Sequence, residues 1–178
     1  AELDAFVDNW AAKLAAGPPI ALAQSKRMLN NAMNVTLEQA LEDEGAAQAL
    51  NFGTKDTAEA MAAFQQAMDD SGNSNNVTSF TMSDFGRTLS TNGDGTDHGW
   101  AGHQLVMGGA VKGGDIFGAV PQQKLGGERD VGAGRIIPEF ANEQYFATLA
   151  QWFGLSAAQC LQLFPNLKNF NQTNLQFV

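Results

Sequence analysis

The sequence predicts an α/β fold overall: a helical N-terminal segment followed by a Gly-rich α/β segment. Three observations carry this prediction. Only three of the 19 glycines (Gly17, Gly45 and Gly53) precede residue 71, and 16 follow it. The glycine-poor stretch is rich in alanine and other helix formers, whereas the later stretch is punctuated by turn signals. Charge divides at the same place: residues 1–70 carry 11 acids and four bases, net −7, and the remainder carries eight acids and six bases, net −2. The predicted organisation is therefore residues 1–64 as a helical segment and 65–178 as a second body.

The first predicted helix places Leu3, Phe6, Val7, Trp10 and Leu14 on one stripe. Gly17 supplies a residue beyond its end, and Pro18-Pro19 prevents continuation. A second helix runs from Pro19 to about Ala32, with Gln24, Lys26 and Arg27 on its polar face. Thr36 with Gln39 forms a capping box that opens a third helix through about Leu50. Leu37 and Leu41 share a face of that helix with Glu44 and Gln48. An apolar stripe interrupted in this way suits a subunit interface in which the polar groups pair across the contact, or a partly solvated helix. Asp56 or Thr57 starts a fourth helix containing Ala60, Met61 and Phe64.

In the second segment, Val77–Met82 reads VTSFTM and predicts a strand ending at Ser83-Asp84-Phe85-Gly86-Arg87-Thr88. Beyond the carboxyl end of a strand in an open α/β sheet, Asp84 and Arg87 would face a ligand. A carboxylate can hold a divalent cation, and a guanidinium can take two oxygens of a phosphate or sulfate. The alternative is a structural Asp84–Arg87 ion pair. Ser90–His103 is predicted as a Gly-rich loop with turns at Asn92-Gly93 and Asp94-Gly95. It contains both histidines, His98 and His103, beside Asp97. Nitrogen and oxygen ligands clustered in this way suit zinc, manganese or iron, although the same residues could simply cap a loop.

Gly108–Gly118 lacks the spacing of a Walker loop or a dinucleotide fingerprint. It reads as strand and turn glycines, with Lys112 facing an anion. Lys124–Pro138 is an exposed loop or hairpin. Tyr145, Leu149 and Trp152 mark an amphipathic helix stopped by Gly154. Ser156 with Gln159 caps a second, short helix ended by Pro165. Cys160 has no flanking base and reads as a buried, inert thiol. The tail FPNLKNFNQTNLQFV is polar, with Phe and Leu as core plugs.

The run LAAGPPIALAQSKRMLNNAMNVTLEQALEDEGAAQALNFGTKDTAEAMAAF resembles the C-terminal helices of the enoyl-CoA hydratase (crotonase) family over about residues 3–64. The resemblance implies helices that cover an active site and build an oligomer, with the oxyanion hole and acidic residues in a part not included here. It also raises a CoA-binding role. The acid–lysine–arginine run expected after Phe64 is replaced by Gln65, Gln66 and Ala67, which leaves that role without its lysine contact.

The run NNVTSFTMSDFGRTLSTNGDGTDHGWAGHQLVMGGAVKGGDIFG, with FPNLKNF later, resembles the last third of a bacterial family in the alkaline phosphatase/sulfatase-like superfamily. That family is typically exported by the twin-arginine route. The resemblance implies part of a mixed sheet between helices and a metal-dependent phosphate- or sulfate-ester site. It implies metal contact at Asp84 and at His98 with Asp97, and anion contact at Arg87. Phe85 stands where the superfamily's Ser-Asp-His-Gly segment has histidine. The nucleophile and remaining ligands lie in a part not included here, so no catalytic residue is assigned.

The functional expectation is thus a partial metal-dependent ester hydrolase, incomplete alone, with a non-catalytic assembly module as the alternative and a CoA-binding fragment third. Two C-terminal pieces of unrelated folds would meet near residue 65, as in a natural fusion, an engineered chimera or a composite of fragments, unless one resemblance misleads. One part suggests cytoplasm and the other export to the periplasm. The acidic balance, net −9 in 178 residues, argues against nucleic acid as a partner. The apolar runs are shorter than the ~20 residues of a membrane span. A homo-oligomer through the N-terminal helices is the expected assembly.

Overall fold

The computed structural model describes residues 2–93 and 95–178, apart from the side chains of Glu38, Leu41, Glu42 and Ala49. Leu41 of the predicted interface stripe and Asp94 of the predicted turn therefore lie outside the described side chains. The architecture is mixed α/β, with helices and small antiparallel ladders. The chain divides into two compact units, Ala1–Gln66 and Ala67–Val178.

The first unit is helical: α1 (Glu2–Ala15), α2 (Pro19–Asn31), α3 (Leu37–Phe52) and α4 (Lys55–Asp70), the last running past the division. The α1 stripe is present and largely exposed. Leu3, Phe6, Val7, Trp10 and Leu14 are all at least half exposed, between 52% and 72%. Pro19 opens α2 at a position where its missing N–H costs no hydrogen bond. Thr36 caps α3, its hydroxyl accepting the Gln39 N–H at 3.2 Å. Helices α2 and α3 pack together, Arg27 approaches Asp43 at 3.9 Å, and Ala47 is buried. Gln48 donates to Glu44 at 3.2 Å one turn away, so these two polar groups are paired within their own helix rather than awaiting a partner. The hydroxyls of Thr54 and Thr57 both donate to the carbonyl of Asn51, at 2.7 and 2.6 Å. They tie the end of α3 to the first turn of α4, which begins at Lys55, one residue before the predicted start.

In the second unit the ladders are two separate antiparallel pairs. Strand β1 (Thr78–Phe80) pairs with β4 (Val106–Gly108) in the register Thr78–Gly108, Ser79–Met107, Phe80–Val106. Strand β2 (Gly86–Thr91) pairs with β3 (Thr96–Gly99), Gly86 opposite Gly99 and Arg87 opposite His98. The predicted strand over Val77–Met82 is shorter than expected. At Thr81 the side chain takes over from the ladder: its hydroxyl donates to Gln104 at 2.7 Å and accepts the Leu105 N–H at 2.8 Å.

The core of this unit is built on α5 (Asn142–Trp152). Tyr145 and Leu149 pack with Leu175 and Phe177 of the C-terminal segment, flanked by Val106, Phe140, Phe146 and Val178. On another side Ala147 packs with Cys160 of α6 (Ala157–Leu163) and with Leu167. Cys160 is fully buried and unpaired. Ser156 and Gln159 form the predicted capping box. Phe153 and Gly154 end α5, Gly154 at φ +114 where a side chain would be strained. Pro165 follows α6 and begins a short 3-10 turn, Pro165–Asn169. Burial pushes the Tyr145 phenol up to about 12; its hydroxyl donates to the carbonyl of Thr81 at 3.0 Å. The predicted core plugs include Phe177, 4% exposed, edge-on to Phe117 and tilted against Tyr145.

Candidate functional site

The segment predicted as a Gly-rich loop, Ser90–His103, is in large part a hairpin. Asn92 makes the turn: its side-chain carbonyl accepts the Gly95 N–H at 2.9 Å and its amide donates to Asp97 at 3.0 Å. Asp97 and His98 therefore lie on a strand, not on a loop. Arg87 does not stand at the mouth of a parallel sheet. It lies inside β2, because Gly86 and Gly99 let the two backbones meet there. A Cβ on Gly86 would come within 1.8 Å of the Ala101 carbonyl oxygen, and one on Gly99 within 2.7 Å of the Arg87 carbonyl carbon. The ladder is irregular between Arg87 and Thr91. There the buried Thr88 hydroxyl donates to the Ser90 carbonyl at 3.0 Å and accepts the Asp97 N–H at 3.1 Å.

Arg87 and His98 are cross-strand partners on the exposed face of this hairpin. The Phe85 ring stacks on the His98 imidazole, with centroids 3.7 Å apart and planes 18° apart. The Arg87 guanidinium carbon lies 5.3 Å from the centre of the same ring. One guanidinium nitrogen of Arg87 donates to the Thr96 carbonyl at 2.8 Å. Among the described residues no carboxylate forms an ion pair with Arg87, and the Asp84–Arg87 pair does not form.

The other predicted site residues are placed elsewhere. Asp84 is exposed in the turn between β1 and β2, and His103 is exposed on the stretch between β3 and β4. The Lys112 ammonium donates to the Gln176 carbonyl at 2.5 Å, and the Lys112 N–H donates to the Phe177 carbonyl at 2.8 Å. These bonds tie Lys112 to the C-terminal segment. The described residues contain no group of three His, Cys, Asp or Glu side chains able to hold a metal ion. With the His98 ring stacked on Phe85 and Asp97 engaged by Asn92, the residues Asp84, Asp97 and His98 do not form a coordination sphere by themselves.

Two features had gone unread in the sequence. Phe85 touches both His98 and Arg87, and its signal is that F-G-R and H-G-W come together across the strands once Gly86 meets Gly99. Asp130 organises the loop that braces β2. Its carboxylate accepts the N–H groups of Gly126, Gly132 and Gly134 at 2.8, 2.9 and 3.0 Å. These bonds, that from Gly126 foremost, hold its carboxyl below the usual carboxylate range. The loop then reaches β2 through the Leu89 N–H, which donates to Gly134, and the Ser90 hydroxyl, which donates to Ala133.

A family model described as "Protein of unknown function (DUF1501)" matches residues 40–156. The chain belongs to the DUF1501 family. The span shared with DUF1501 contains Asp84, Phe85, Arg87, Asp97, His98 and Lys112, and it runs across the division between the two units. Helices α1 and α2 precede it. No curated protein and no solved structure matches the chain.

Proposed function

We propose that residues 65–178 are the C-terminal portion of a phosphate/sulfate-ester hydrolase-like domain, contributing an anion-binding face without a complete catalytic set. The observation that carries the reading is the Arg87–His98 cross-strand pair, exposed and, among the described residues, without an ion-paired carboxylate. A guanidinium edge offers two N–H donors and an imidazole a third, a set that suits the three free oxygens of a tetrahedral phosphate or sulfate ester. The alkaline phosphatase/sulfatase-like resemblance supports the same substrate class. A divalent metal such as zinc, manganese or iron would need ligands from outside these residues. The test is titration of the purified chain with inorganic phosphate and sulfate, alongside turnover of aryl phosphate and aryl sulfate with and without added zinc or manganese. Saturable anion binding that is lost in Arg87→Ala, with no turnover, is expected. Binding unaffected by Arg87→Ala overturns the reading.

A second reading is favoured by α1, whose stripe from Leu3 to Leu14 is exposed throughout. In that reading the crotonase-like helices of residues 1–64 form an assembly module, as their resemblance implies. Light scattering discriminates: self-association that is reversed by Phe6→Asp with Trp10→Asp supports it, and a clean monomer at micromolar concentration excludes it.

A further inference from the structure

We infer that Phe85 is a positioning residue for the Arg87–His98 anion-binding face, an inference that rests on the reading proposed above. Its ring is 43% exposed, so it does not serve as a core filler. Its ordered contacts are instead with the two candidate donors: the imidazole stacked at 3.7 Å and the guanidinium carbon 5.3 Å from the ring centre. A phenyl ring can neither coordinate nor donate to an anion, so what it supplies is orientation. Arg87 is held at two points, by the Thr96 carbonyl at 2.8 Å and by the ring, and this leaves its free N–H edge in one place. His98 has its ring plane set by the stack. Without Phe85 both long side chains would have to be ordered by the anion itself, at a cost in affinity.

The experiment follows inorganic phosphate binding to the full chain by NMR, using the imidazole protons of His98. The second histidine signal is assigned with His103→Gln. Phe85→Ala is expected to weaken phosphate binding about two- to tenfold, the cost of ordering one rotamer-rich side chain. Its melting temperature should not change, and the His98 protons should lose the shift imposed by the stacked ring. Phe85→Trp, which keeps an aromatic face, is expected to restore affinity to within about twofold. If Phe85→Ala binds as the unmodified chain does while Arg87→Ala does not bind, the positioning role is wrong and the anion-binding reading stands. Failure of Phe85→Trp to rescue also overturns the positioning role. If Arg87→Ala binds normally, the anion-binding reading falls and takes the role of Phe85 with it.

Discussion

Leu175 donates its backbone N–H to the hydroxyl of Thr148 at 2.8 Å, and that hydroxyl in turn donates to the Gln144 carbonyl at 2.8 Å. Thr148 is 1% exposed. One side chain thus satisfies the C-terminal segment from inside α5. Nearby, the Gln144 amide donates to the Gln172 carbonyl at 2.6 Å and the Asn174 amide to Gln151 at 2.9 Å. Thr148→Val keeps the shape but strands the Leu175 N–H. It should cost about 1–3 kcal/mol, the penalty for a buried unsatisfied donor. Thr148→Ser, which loses one methyl and keeps both bonds, should cost about 1 kcal/mol. Denaturant unfolding followed by tryptophan fluorescence checks the order.

Tyr145 is the single tyrosine of the chain, so its ionisation can be read directly from ultraviolet absorbance. Burial raises its phenol from 10.0 to about 12. A raised value in the folded state means that the folded chain holds its proton more tightly. The associated stability is complete below pH 10 and declines as pH rises from 10 toward 12. The expected titration midpoint is about 12 in the native chain and near 10 in denaturant. Coincident midpoints would show that the ring is not enclosed.

Asp130 works in the opposite direction. Hydrogen bonds from the Gly126, Gly132 and Gly134 N–H groups lower its carboxyl, so its contribution is present above the ordinary aspartate value. That contribution is lost as pH falls through the lowered value. Asp130→Asn should remove this acid-side dependence and speed amide exchange at Gly126, Gly132 and Gly134. Hydrogen exchange followed from neutral pH down to below the ordinary aspartate value, compared between the two chains, measures both effects.

Gly86 and Gly102 make a matched pair for testing the hairpin. A Cβ at Gly86 meets the Ala101 carbonyl oxygen at 1.8 Å, whereas one at Gly102 meets nothing within 4 Å. Gly86→Ala should cost at least ~1–3 kcal/mol, as overpacking does, and should disturb the stack of His98 on Phe85. Gly102→Ala should stay within about 0.5 kcal/mol of the parent. Melting curves with the His98 proton shift as a local probe distinguish the two.

Much of the local structure was legible because its causes are local. The caps at Thr36 and Ser156, the Pro19 start of α2 and the Gly154 stop of α5 each depend on residues within one turn of each other. The candidate site was less legible. Arg87 and His98 are 11 positions apart, and only the Gly86–Gly99 contact makes them neighbours. The bond from Lys112 to the Gln176 carbonyl was not legible, because that partner is backbone and no residue type announces it.

By itself, the sequence determined the helical first part, the glycine-punctuated second part and the placement of helix ends, because propensity, capping and turn chemistry act over a few residues. Only the tertiary structure decided that α1 leaves its apolar stripe uncovered and that the C-terminal segment completes the core on α5. It also decided that Phe85, Arg87 and His98 share one exposed face, and that Lys112 bonds to the C-terminal segment. Those outcomes depend on which distant backbones meet. Strand register and long-range burial settle that, and no short pattern in the chain encodes either one.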